Sequence, residues 1–227
     1  MEYLYFILFL IIGYLSGSIN YAIIITRLVS GKDIRKIGNR NPGGANVGRT
    51  IGKLWGATVI ILDLLKGFIP MFLARVLLFR GELLPLHFLA LAATGIAAIA
   101  GHCVPVFYGF KGGRGVATSI GVYLFFVPVE LFVSMLIGFA IVMLFIKNVR
   151  YRIGRWTPII FVTITPFLTL ASSLSIDIPL FAHLSIGGHG WSTIVSVFLI
   201  SFSILFINFS FFIGTLKEAG GGPPVDT

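Results

Sequence analysis

Lys111 and Arg114 stand among four glycines, Gly109, Gly112, Gly113 and Gly115, in the stretch GHCVPVFYGFKGGRGVATSIG that runs from residue 101 to residue 121. These residue types at this spacing suit an anion. Glycine admits φ > 0 and lets backbone N–H groups turn toward one point. The apolar run from Val116 reads as a helix whose positive end faces back at that point, and a guanidinium adds a forked donor. The expected chemistry is a phosphate site formed by Lys111, Gly112, Gly113, Arg114 and Gly115. It is no P-loop, because GxxxxGK[ST] is absent. A flexible turn between apolar segments has the same composition, and spacing alone leaves both readings open.

A second stretch, GKDIRKIGNRNPGGANVGRTIGK over residues 31–53, offers matching parts. Asn39, Asn41 and Asn46 supply amides, Gly43 and Gly44 supply bare backbone, and Arg49 supplies charge. Arg49 and Arg114 can each clamp a phosphate bidentately. Two phosphate-bearing substrates would use both, with catalysis by positioning and charge stabilisation and no covalent intermediate. His102 is a candidate general base or hydrogen-bond donor, although a lone histidine at the end of a span also reads as structural. No nucleophile elbow, HExxH zinc spacing or Rossmann fingerprint is present. The single cysteine, Cys103, allows no internal disulfide and reads as a small buried apolar residue; His183 and His189 read as surface groups. No metal and no cofactor is expected.

These residues must be held by apolar segments. Of 227 residues, 57% are hydrophobic and 11% charged, with mean hydropathy +1.00, whereas soluble domains are about a quarter charged. The fold class is therefore an all-α, polytopic membrane protein. The net charge of +9 does not indicate a nucleic-acid partner, because fourteen of seventeen Lys and Arg residues lie in four short groups between or after spans. The positive-inside rule makes those groups cytoplasmic. Spans are expected near residues 3–28, 54–78, 83–100, 129–146, 157–174 and 191–213. The first reads as a retained span, not a signal peptide, and its Gly13 and Gly17 invite close helix approach. Asp63 and Lys66, three apart in the second span, read as a structural ion pair.

Residues 116–146 would make one helix of about 46 Å, too long for an apolar core of about 30 Å. Pro128 supplies a break. The short piece before it is too short to cross, so the glycine-rich start is expected at membrane depth, lining a polar cavity. That brings the count to about seven segments, some short or broken, with the N-terminus outside and the C-terminus inside. One transmembrane domain over 1–216 and a disordered tail over 217–227 are expected.

The sequence resembles the bacterial integral-membrane acyl-phosphate:glycerol-3-phosphate acyltransferases. The resemblance runs in order through GYLSGSINYA, IGNRNPGGANVGRTIG, DLLKGFIP and GHCVPVFYGFKGGRGVAT, roughly the first two-thirds of the chain. It implies seven segments, active-site loops on the cytoplasmic face of the inner membrane, and transfer of a fatty acyl group from acyl phosphate to the 1-hydroxyl of glycerol 3-phosphate. Lysophosphatidic acid and phosphate would be the products, with no metal, coenzyme A or acyl carrier protein. By the same resemblance Arg49 is the phosphate-binding arginine of the first loop and Asn41 and Asn46 are its asparagines. Arg114 stands where lysine is usual, Asn39 where the loop has serine, and Ala45 where it has threonine.

The C-terminal third departs from the pattern: RYRIGRWTPI and FFIGTLKEAGGG show neither the serine-containing stretch nor the His-Arg-x-Asn type motif. Two alternatives follow, a divergent member with another acceptor or no activity, and a small anion transporter.

Overall fold

The computed structural model describes residues 2–79, 81, 83–146, 152–174 and 190–219, whose regular structure is entirely helical. The first apolar run is two helices, α1 (Glu2–Ser18) and α2 (Tyr21–Ser30). The break comes from Asn20, whose side-chain oxygen accepts from Ile23 N at 3.1 Å and caps α2. At the other end of α2 the chain turns at Gly31, where φ is +68°.

The basic loop that follows is folded. It contains a 3₁₀ turn at Ile34–Lys36 and a short helix, α3 (Gly44–Thr50). Ile34 and Val47 bury completely against Ala22, Ile23, Ile25 and Val59, so apolar burial fixes a segment that is polar by composition. The next elements are α4 (Lys53–Leu77), α5 (Pro85–Cys103), a 3₁₀ turn at Val106–Tyr108, α6 (Val116–Phe126) and α7 (Pro128–Phe145). The helix does break before Pro128, as its length requires. After α8 (Arg152–Leu174), the last apolar run is again two helices, α9 (Trp191–Ile207) and α10 (Phe209–Ala219).

Among the described residues, five stretches are long and apolar enough to cross a membrane: Leu4–Ser30, Lys53–Leu77, Pro85–Tyr108, Pro128–Phe145 and Ile153–Leu174. The pair Trp191–Ile207 and Phe209–Thr215, bent by 69°, makes a sixth if taken as one span. The expected count of about seven is thus five, or at most six, by this measure. The difference is α6, whose 11 residues reach only about 16 Å. His183, His189 and residues 220–227 lie outside the described residues.

The described residues group into two compact units. The first comprises Met1–Glu82 and Ala90–Val122. Glycines let its backbones touch: a Cβ on Gly13 would lie 2.6 Å from Thr94 O, on Gly17 2.0 Å from Ala98 O, and on Gly101 2.2 Å from Tyr14 O. These contacts join α1 to α5. Gly67 and Gly121 join α4 to α6 in the same way, against Thr118 O and Leu64 O.

The second unit comprises Leu83–Leu89 and Tyr123–Val225. Hydroxyl groups bridge its helices. Ser134 and Thr165 meet at 2.8 Å, Tyr123 and Ser201 at 2.7 Å, and Ser172 donates to Glu130 Oε1 at 2.8 Å.

Candidate active site

The first loop is shaped by Asn46, which is 1% exposed. Its Oδ1 accepts from Asn39 N at 3.2 Å, and its Nδ2 donates to Ile37 O at 3.0 Å. Both ends of the amide are therefore spent on the loop backbone. Asn39 Oδ1 in turn accepts from Asn41 N at 3.3 Å, and Asn41 O accepts from Gly43 N at 3.0 Å. This chain of asparagines carries the backbone to Gly43, the N-cap of α3. Arg49 lies on the exposed last turn of α3.

At the mouth of the loop Asp33 forms ion pairs with Arg35 at 2.8 Å and with Arg27 at 3.3 Å. The hydrogen bond from Arg35 holds the Asp33 carboxyl well below the usual carboxylate range, and Asp33 reciprocally raises Arg35.

The glycine-rich stretch folds back on the end of α5. Gly112 N donates to Cys103 O at 3.2 Å and Gly113 N to His102 O at 3.1 Å. Those two amides satisfy the terminal carbonyls of α5, which corrects the expectation that they point toward an anion. Likewise, only Gly109 (φ +64°) and Gly115 (φ +74°) of the four glycines take positive φ. The donors left for an anion are the first-turn N–H groups of α6, which follow Gly115 and have no acceptor within their own helix. Lys111 is exposed and Arg114 half-buried at that helix start.

Gly113 is where the two stretches meet. A Cβ there would lie 2.3 Å from His102 Nε2 and 3.0 Å from Pro42 O. The loop carrying Asn41 and Gly43 therefore touches the loop carrying Gly112 and Arg114, with the His102 imidazole at the junction. His102 is 4% exposed. Its Nδ1 lies 3.6 Å from Asp63 Oδ1, and the same carboxylate oxygen pairs with Lys66 Nζ at 2.8 Å. The Asp63–Lys66 pair read from sequence is thus present, with side chains 2% and 1% exposed. Its extension to His102 was not legible, because it joins residues 39 positions apart in sequence. No group of three or more His, Cys, Asp or Glu suited to a metal occurs among the described residues.

The sequence profile of the family described as glycerol-3-phosphate acyltransferase matches residues 7–216. The chain belongs to that family. The match extends through the C-terminal third, where the motifs alone show no resemblance. Among its relatives, a glycerol-3-phosphate acyltransferase of Legionella pneumophila (strain Lens) is 38% identical over 179 residues, covering 78% of this chain and 60% of that protein. One of Aquifex aeolicus (strain VF5) is 46% identical over 116 residues, covering 51% and 57%. The chain spans about three-fifths of the length of these curated relatives.

Crystal structures of PlsY (YgiH), an integral membrane glycerol 3-phosphate acyltransferase, share the fold. The lysophosphatidic acid form has a TM-score of 0.71 at 26% identity, and the glycerol 3-phosphate form 0.70 at 27%. Each comparison covers 94% of this chain and 93% of the other. This member of the acyltransferase family is accordingly an integral, multi-pass membrane protein.

Proposed function

We propose that the protein transfers a fatty acyl group from acyl phosphate to the 1-hydroxyl of glycerol 3-phosphate, giving lysophosphatidic acid and phosphate, the first step of phospholipid synthesis. Membership of the family supports the reaction class. The observation that carries the site is the meeting of the two loops at Gly113, Pro42 and His102, since a transfer between two phosphate-bearing molecules needs two anion sites side by side.

In this reading the first loop, with Arg49 and its asparagine-shaped backbone, holds the head of the acyl phosphate. Arg114, Lys111 and the α6 N-terminus hold the acceptor's phosphate, with Gly112, Gly113 and Gly115 allowing close approach. The acceptor hydroxyl oxygen attacks the carbonyl carbon and forms the new ester bond. The bond from that carbon to the phosphate oxygen breaks, its electron pair leaves with the phosphate, and the hydroxyl proton ends on the same phosphate. Cationic groups stabilise the charge that gathers on the leaving group, so neither nucleophile nor metal is needed. Of the two candidate roles of His102, its boxed-in position supports the hydrogen-bonding one, holding the glycine-rich loop.

Seven segments are consistent with this reading if the 11-residue α6 counts as a broken segment and α9–α10 as one bent span. The four basic groups then face the cytoplasm, the N-terminus lies outside, and the site opens on the cytoplasmic face of the inner membrane. Acyl coenzyme A and acyl carrier protein are not expected to serve as donors.

The test is product formation by purified protein in lipidic mesophase, with acyl phosphate and acyl coenzyme A as competing donors. The expected result is lysophosphatidate from acyl phosphate only when glycerol 3-phosphate is present, and its loss in both Arg49→Ala and Arg114→Ala. Wild-type turnover in both variants would overturn the site.

A further inference from the structure

The buried charges of α4 lie directly beneath the glycine-rich loop. Lys66 Nζ donates to Ile19 O at 2.7 Å, the carbonyl at the break between α1 and α2, and pairs with Asp63 Oδ1 at 2.8 Å. Asp63 Oδ1 also faces His102 Nδ1 at 3.6 Å, and neither atom meets the geometry of a hydrogen bond among the described residues. On the far side of the ring, Nε2 fills the space that a side chain at Gly113 would need. The His102 carbonyl accepts from Gly113 N. One imidazole therefore has a carboxylate at one nitrogen and the loop at the other.

Ionisable groups within a span are costly even when paired, and an apolar pair of similar size would hold the helices as well or better, so a retained pair points to a role beyond packing. Tying helices together would need only Lys66 and a carbonyl; it would not need a carboxylate turned toward the ring that supports the loop. An imidazole nitrogen beside a carboxylate keeps its proton, and this fixes both tautomer and ring orientation.

We propose that Asp63 is a positioning residue that acts through His102: it holds the imidazole with Nδ1 protonated and toward α4, so that the Nε2 edge keeps Gly113 and the start of α6 in place for the acceptor's phosphate. Lys66 supplies the counter-charge that keeps Asp63 ionised and pins the carboxylate to the break in the first span. This deepens the proposed function, on which it rests for the identity of the ligand.

The experiment compares the full-length wild type with Asp63→Asn, Asp63→Glu and the double variant Asp63→Asn/Lys66→Met, which removes both charges and keeps the fold testable if the single variant leaves Lys66 uncompensated. Titration calorimetry with glycerol 3-phosphate is the first readout. Asp63→Asn and the double variant are expected to bind at least tenfold more weakly, with KM for acyl phosphate within twofold of wild type and with Asp63→Glu recovering most of the affinity. The ¹⁵N resonances of the His102 ring, assigned with His102→Gln, are the second. They are expected to show protonated Nδ1 in wild type and a shifted proton in Asp63→Asn.

Unchanged affinity in a folded double variant overturns the proposal, as does an equal loss for both substrates or a ring that does not respond. A wild-type protein that binds glycerol 3-phosphate but makes no lysophosphatidate would overturn the proposed reaction and leave this inference to be judged on the affinities.

Discussion

The two units of the chain solve the same problem, joining helices in a medium that offers no hydrophobic drive, by different means. In the first, backbones touch at glycine: Gly13, Gly17 and Gly101 between α1 and α5, and Gly67 and Gly121 between α4 and α6. In the second, α7 and α8 are linked by Ser134–Thr165 and by Glu130–Ser172, and Tyr123 bonds Ser201 of α9. Glycine contacts leave no room for adjustment, because the neighbour is a carbonyl of another helix. Hydroxyl contacts can re-form with a neighbouring carbonyl. Glycine contacts predominate in the unit that carries the two loops, beside hydroxyl bonds such as Ser16 to Lys66 O at 3.3 Å; hydroxyl bonds predominate in the second, beside one close approach in which a Cβ on Gly138 would lie 3.3 Å from Thr157 O.

The largest effect separating the two is expected from Gly17→Leu. Its Cβ would sit 2.0 Å from Ala98 O and 2.7 Å from Ala98 C, so α1 and α5 must part. A loss of at least about 3 kcal/mol is expected, read as failure to recover monodisperse protein in detergent. Recovery at the wild-type level would show that the glycine contacts are not what fixes the first unit. In the second unit Ser134→Ala removes a hydrogen bond that has a substitute nearby, since Thr165 Oγ1 also contacts Phe161 O at 2.7 Å. The expected cost is about 0.6 kcal/mol, measured by thermal melting in detergent, with activity retained. A cost equal to that of Gly17→Leu would erase the contrast.

The smallest effect belongs to Asp33. Its pKa is depressed in the fold by the hydrogen bond from Arg35, so its stabilising contribution is complete above the ordinary carboxylate range near pH 4 and is lost as pH falls through the depressed value. Melting temperatures of wild type and Asp33→Asn should differ at pH 7 by the equivalent of at most about 0.5 kcal/mol. That difference should persist down to pH 5 and shrink only in stronger acid. A difference that grows on acidification would contradict the assignment.

Much of this was legible in the sequence for local reasons. Gly13 and Gly17 announce close packing by their spacing, and the break before Pro128 follows from a helix too long for the bilayer. Other breaks lack such a mark: α1 ends before Asn20 and α9 before Asn208 with no proline at either place. Asn20 and Asn208 act by offering their side chains to nearby backbone, at Ile23 N and Ile204 O, which polarity alone does not reveal. Helix α3 has too few apolar residues to show a period, and its burial depends on Ala22, Ile23 and Val59 in the helices on either side. The candidate site residues lie in two separate stretches of the sequence. Their meeting at Gly113, the use of the Gly112 and Gly113 amides on α5, and the link from Asp63 to His102 are all long-range facts that no local pattern carries.

The central claim is that the two loops close on one another at Gly113 and that this closure makes the site. Gly113→Ala tests it most directly. A Cβ at Gly113, unlike one at Gly17, would first meet a side chain, His102 Nε2 at 2.3 Å, and then Pro42 O at 3.0 Å, so the variant can fold by displacing the ring and spreading the loops. The account predicts a melting temperature close to wild type with acyl-phosphate-dependent turnover reduced about 100-fold. Wild-type turnover in well-folded Gly113→Ala would contradict it.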